Sequence, residues 1–282
     1  MLPLRLIAAL AFAALSSGCA THAVSMQEVR DFAAASGKLA GFADLSTRFR
    51  TTYAREQPYL TPAADKLARE NDARRAAVYQ DFLSAQKTLV LYMQTLHQLA
   101  SNERFDLSPR LDELGEGLKA SADTKVEQRH VKAYTGLGRL VTRVILSNYQ
   151  ARSVETMVRE ADPHVQALLE AMTALLRYYV KTNENEKKTV LGMFDVEIPF
   201  SLRPQDRMLV TLAKVHYTSK TAEYRLLDKR YALAQEGLDK VSLGHRKMRE
   251  NLHNLHAPEV RKYLAAIGHD LAMIHEGLKA TN

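Results

Sequence analysis

The chain has 282 residues, of which 46% are hydrophobic and 25% charged, and a formal net charge of +7. That hydrophobic content excludes an intrinsically disordered chain and is enough to build a sizeable core. A single cysteine, Cys19, excludes an internal disulfide, and the absence of tryptophan weakens a glycan-binding reading built on stacking.

In chain order, Met1 to Ala20 comes first. Arg5 and the free amino group give a positive start, Leu6 to Leu15 form an apolar core, and Ser16, Ser17 and Gly18 lead into Cys19. A bilayer span takes roughly 20 apolar residues, so this core is too short and reads as an export signal. The run Leu15-Ser-Ser-Gly-Cys19 resembles the lipobox of bacterial lipoprotein precursors, with Ser16 where a leucine is usual. The resemblance implies that residues 1–18 are cleaved off as a signal peptide and that Cys19 is acylated to become the new N-terminus. Ala20, where an aspartate would favour retention in the inner membrane, implies transport to the outer membrane. One acyl chain anchors only marginally, so stable attachment needs the several chains of a mature lipoprotein.

Loss of residues 1–18 removes Arg5 and lowers the charge from +7 to +6. An exported, mildly basic domain does not meet nucleic acid. Its acidic partners would be lipid headgroups, lipopolysaccharide or an acidic protein face. Basic and acidic residues are interspersed, however, and pairs such as Arg74-Arg75 and Lys187-Lys188 read as solvated helix faces. Residues 19–25 form a tether of at most ~20 Å, and residues 26–282 a single helical-bundle domain.

Ser25-Met-Gln-Glu28 reads as a capping box opening a helix to about Glu56, with Gly37 and Gly41 available for close approach. Thr61 and Pro62 start a helix carrying Leu67, Val78, Phe82, Ala85, Leu89, Tyr92 and Leu96. Ser108-Pro109 starts a short one with Leu111, Leu114 and Leu118. Thr124-Lys-Val-Glu127 reads as a second capping box, ahead of a helix reaching towards Glu160. Asp162-Pro163 is expected to cap the next, with Val165, Leu168, Met172, Leu175 and Tyr179 on its inner face. From Pro204 a helix of some fifty residues is expected to turn Met208, Leu212, Val215, Ala222, Leu226, Leu233, Leu238, Val241 and Met248 inward. Pro258 starts the last, with Val260, Leu264, Ile267, Leu271, Ile274 and Leu278 alternating four and three. These elements predict an all-α, elongated antiparallel bundle of about six to seven helices, several of them long. Leu96-His-Gln-Leu99 with Glu116-Gly-Leu-Lys-Ala120, and Leu252-His-Asn-Leu255 with Glu276-Gly-Leu-Lys-Ala280, would fit a duplicated hairpin.

Glu127-x-x-His130 and Glu250-x-x-His253 have the spacing of di-iron helical bundles. At about 100° per residue, Glu250 and His253 lie roughly 200° and 140° round from Met248, away from the core face. His253 and His256, one turn apart, are the remaining metal candidates, and they read more simply as surface histidines at a helix end. Asp239, Ser242 and His245 have the residue types of a triad but drift round their helix, with no free backbone N–H groups for an oxyanion hole. Gly136-Leu-Gly138 lacks the strand that a dinucleotide site needs. No cofactor is expected, and the chain reads as non-enzymatic.

The one period-two stretch is Phe194 to Pro204, where Val196, Ile198, Phe200 and Leu202 alternate with polar residues or proline. Pro199 and Pro204 argue against helix there. The segment reads as an extended connector, with Val196 and Ile198 packed inward and Phe200 and Leu202 available to a partner. The expectation is an outer-membrane lipoprotein that binds a protein as an envelope structural or assembly factor, or as a toxin-neutralising one. A helical sensor of a small molecule or lipid is the alternative, and a metal-dependent bundle enzyme comes third.

Overall fold

The computed structural model describes residues 26–38, 41–101, 107–113, 117–147, 153–201 and 203–279. The export signal, Cys19 and Leu202 lie outside them. The described chain is an all-α bundle. Its helices are α1 (Gln27–Gly37), α2 (Gly41–Arg50), α3 (Thr52–Glu56), α4 (Pro62–Ser101), α5 (Gln128–Leu146), α6 (Val154–Phe200), α7 (Arg207–Glu250) and α8 (Pro258–Lys279). Short 3-10 turns stand at Gln57–Tyr59, Ser108–Glu113, Pro204–Asp206 and Leu252–Asn254.

α6 and α7 form a long hairpin, each helix about 65–70 Å at 1.5 Å per residue. α4 and α5 pack on α6, while α8 folds back on α7 and clasps α1 against α4. The reason is periodicity. In α6 the positions Val165, Leu168, Met172, Leu175 and Tyr179 recur three and four apart and are all buried. α8 buries its whole predicted stripe from Val260 to Leu278, and each such side chain contributes roughly 1.5–3 kcal/mol. Aromatic rings knit the middle: Phe49 stacks on Tyr179 with centroids 3.9 Å apart, and Phe82 lies 5.0 Å from the same ring. Thr61 Oγ1 accepts from the Ala64 amide at 3.4 Å, capping α4 ahead of Pro62.

Several boundaries differ from the sequence reading. The first predicted helix is broken into α1, α2 and α3, which lets three short segments wrap round α4 and α6. α5 stops at Leu146 instead of running towards Glu160, and Ser153 caps α6 by accepting from the Thr156 amide at 3.1 Å. Asp162-Pro163 caps nothing and lies inside α6. Pro163 sits on the exposed side of that helix, where water can satisfy the carbonyl its missing N–H leaves free. The extended connector is likewise overturned, because α6 runs on through Pro199 to Phe200. Proline's fixed φ suits a helix, and the bond lost in an exposed last turn is one that water replaces. The two halves of the suspected duplication also differ, since Leu96–Leu99 is inside α4 whereas Leu252–Asn254 is a 3-10 turn.

Candidate interaction surface

The first of the motifs that suggested chemistry has a structural use. Glu127, not Thr124, is the N-cap of α5: its carboxylate takes the His130 amide, and the Glu127 amide donates to His130 Nδ1 at 3.0 Å. The Glu-x-x-His spacing is thus a capping box with histidine as the returning acceptor. With Nδ1 accepting, the neutral ring carries its proton on Nε2, which is buried, has no hydrogen-bond partner and lies 3.7 Å from Glu170. Burial, then the neighbouring Arg129 charge, lowers the His130 pKa. His130 borders a polar groove of about 590 Å³ whose lining includes Gln166, Arg177, Ser242 and Arg246.

His253 is largely exposed and lies 3.6 Å from Glu155, and His256 is exposed too. Among the described residues, no group of three His, Cys, Asp or Glu side chains is arranged to hold a metal ion. Asp239, Ser242 and His245 do not meet. Asp239 accepts from Gln235 at 3.0 Å and Ser242 donates to Gln166 at 2.6 Å. His245, fully buried, lies 2.6 Å from Tyr92 Oη and 2.9 Å from Asp162 Oδ1, joining α4, α6 and α7. Burial raises the Asp162 pKa, but the hydrogen bond and charge of His245 outweigh it and the net shift is downward. Burial pushes the Tyr92 hydroxyl well up. The chain of contacts runs from buried Tyr92 through buried His245 to half-buried Asp162 and ties the three helices together.

A second polar cluster went unseen in the sequence. Glu186 of α6 is buried and accepts from Arg48 at 3.2 Å, from Arg55 at 2.8 Å and 3.0 Å, and from the Tyr224 hydroxyl at 3.1 Å. It anchors α2 and α3 to the hairpin. The signal was present, because Asn183, Glu186, Val190 and Phe194 continue the inward three-and-four spacing past Tyr179. Polar identity concealed the periodicity.

The surface that stands out is apolar. Near the joined end of the hairpin, Tyr59, Phe194, His216 and Tyr217 form an aromatic cluster between α6, α7 and the 3-10 turn before α4. Beyond it, Phe200 is 82% exposed, Met208 76%, Leu212 61% and Val215 63%, with Val196 and Leu209 exposed beside them in sequence. Ile198 is half-buried against the core, while Val196, expected inward, points out. α7 departs further from the sequence expectation. Its inward face is Tyr217, Tyr224, Leu227, Tyr231 and Ala234. The predicted stripe of Met208, Leu212, Val215, Ala222 and Leu226 lies outside. α7 carries two apolar stripes, and the pattern in the sequence passes from one to the other between Leu226 and Leu238.

No protein-family model matches this chain, and no curated protein or solved structure matches it either.

Proposed function

We propose that the chain is a lipid-anchored, non-enzymatic bundle on the periplasmic face of the outer membrane, and that it presents the far end of its α6–α7 hairpin to a protein. The observation that carries this reading is the run of large apolar side chains left uncovered on a bundle that already buries one continuous apolar core. Monomeric proteins rarely expose contiguous apolar patches of this kind, and such patches mark interaction sites. The anchor rests on the resemblance of the run ending at Cys19 to a lipobox. The mutually paired Tyr92–His245–Asp162 and Glu186 clusters act as struts that keep the hairpin stiff.

The test is site-specific photocrosslinking in intact envelopes. A crosslinker at Phe200 is expected to give one defined protein adduct, and a crosslinker at exposed Lys262 of α8 none. Cys19→Ser is expected to abolish acyl labelling and to release the protein from the membrane fraction. Equal labelling from both positions would sink the interaction reading. A Cys19→Ser protein retained at the membrane in the usual amount would sink the anchor.

A further inference from the structure

The outer stripe of α7 runs Met208, Leu212, Val215, Ser219, Ala222, Leu226, spaced four, three, four, three and four. That alternation is the seam of an antiparallel or parallel helix pair, sustained here over about 27 Å at 1.5 Å per residue. All six residues are exposed, and the opposite face of the same helix is occupied by the protein's own core. The seam therefore has no partner among the described residues. It contains no charged residue. Beside it stand Thr211 and Thr218 on one flank and Leu209 and His216 on the other, while Glu223 and Arg225 flank only its last turn.

The order of sizes along the seam selects the occupant. Laid antiparallel on itself about a two-fold axis midway between Val215 and Ser219, the stripe sets Met208 against Leu226 of the second copy. Leu212 then meets Ala222, and Val215 meets Ser219. In the two central layers each larger side chain meets a small one, so no layer leaves two small side chains facing each other. A parallel pairing in register would instead set Leu212 on Leu212 and leave Ser219 and Ala222 facing themselves across a gap. Two-fold pairing also repeats each contact, the rule for an isologous interface. On charge the antiparallel pairing is equally free of conflict: Glu223 comes beside Leu209 and Arg225 beside Thr211, so no like charges are opposed.

We infer that α7 is a self-association helix, whose stripe from Met208 to Leu226 binds the same stripe of a second copy antiparallel, joining two bundles hairpin to hairpin. This rests on the interaction reading above and names the partner at that surface.

The full chain carrying Cys19→Ser has no thiol, so engineered cysteines report geometry without interference. Sedimentation equilibrium is expected to give twice the chain mass, and Leu212→Asp to halve it with an unchanged helical signal. Chains with Val215→Cys and chains with Ser219→Cys, mixed and oxidised with copper phenanthroline, are expected to form the mixed disulfide in preference to either like-with-like product. Should Leu212→Asp fail to fold, the cysteine pairs decide the matter alone. A single-chain mass for the parent protein, or dominance of the like-with-like disulfides, overturns the inference. If the parent is a single chain while the Phe200 crosslinker still captures a different protein, only the second-copy assignment falls. If that crosslinker captures nothing as well, the interaction reading falls with it.

Discussion

Gly244 of α7 shows how one atom can decide a helix crossing. Its Cα faces the ring of Phe32 from α1, and an added Cβ would stand within 2.7 Å of Phe32 Cζ. Phe32 is fully buried, so its ring has no empty space to swing into. Gly244→Ala is expected to destabilise by about 1–3 kcal/mol through overpacking, outweighing alanine's better helix propensity. Thermal melting checks this, and an unchanged or raised midpoint would show that α1 moves freely on α7. Nothing around Gly244 in the sequence marks it, because the clash involves a residue more than two hundred positions away. Glu186 differs from Gly244, since its position in the α6 stripe was readable but its two arginine partners were not.

At the scale of the element, α6 and α7 differ in how faithfully spacing reports burial. The inward stripe of α6 continues through Asn183 and Glu186, so in that helix periodicity was the better guide and residue identity misled. In α7 two apolar stripes of similar quality coexist, and packing against Phe194 chooses Tyr217 over Val215 as the inward residue. The period-two reading of Val196, Ile198, Phe200 and Leu202 failed for a related reason. Four alternating residues with two prolines cannot outweigh a long helix already held by its partner over many turns. Truncation separates the roles of the hairpin residues. Phe200→Ala is expected to change stability by no more than about 0.5 kcal/mol, as surface substitutions do. Ile198→Ala, half-buried, is expected to cost about 0.5–2 kcal/mol, short of a full core cavity. Melting of the two variants side by side measures this, and a larger loss for Phe200→Ala would mean that the ring is covered.

For the whole molecule, titration links the buried clusters to stability. The folded pKa of His130 lies below the ordinary 6.5, chiefly through burial, and that of His275 does too. A histidine held neutral contributes stability that is complete above its unfolded value and declines as pH falls below 6.5. Glu56 and Asp81, raised by burial, act in the opposite sense, because their protonated forms suit the fold. Asp162 and Glu28 have net lowered values, through His245 and Arg261 respectively. Their contribution is present above the ordinary carboxylate range and is lost as pH falls through their folded values. The melting midpoint should therefore fall between pH 7 and pH 5 and fall again in strong acid. His130→Gln keeps an acceptor for the Glu127 amide without a titrating ring, and is expected to flatten the first decline. A slope as steep in that variant as in the parent would remove His130 as its source.

The sequence by itself determined the all-α class, the starts of α4 and α8, the buried stripe of α8 and most of that of α6. Each of these depends on interactions within a few turns, such as a capping hydroxyl, a proline at the first helical position, or apolar residues recurring every three or four places. Only the tertiary structure decided that Asp162-Pro163 and Pro199 are tolerated inside α6, and that Glu127 and His130 cap a helix. It also decided that Tyr92, Asp162 and His245 meet, and that α7 turns Met208, Leu212 and Val215 to the outside. Those outcomes depend on which neighbour occupies each face. A chain with two apolar stripes on one helix leaves that choice to the packing of residues far apart in sequence.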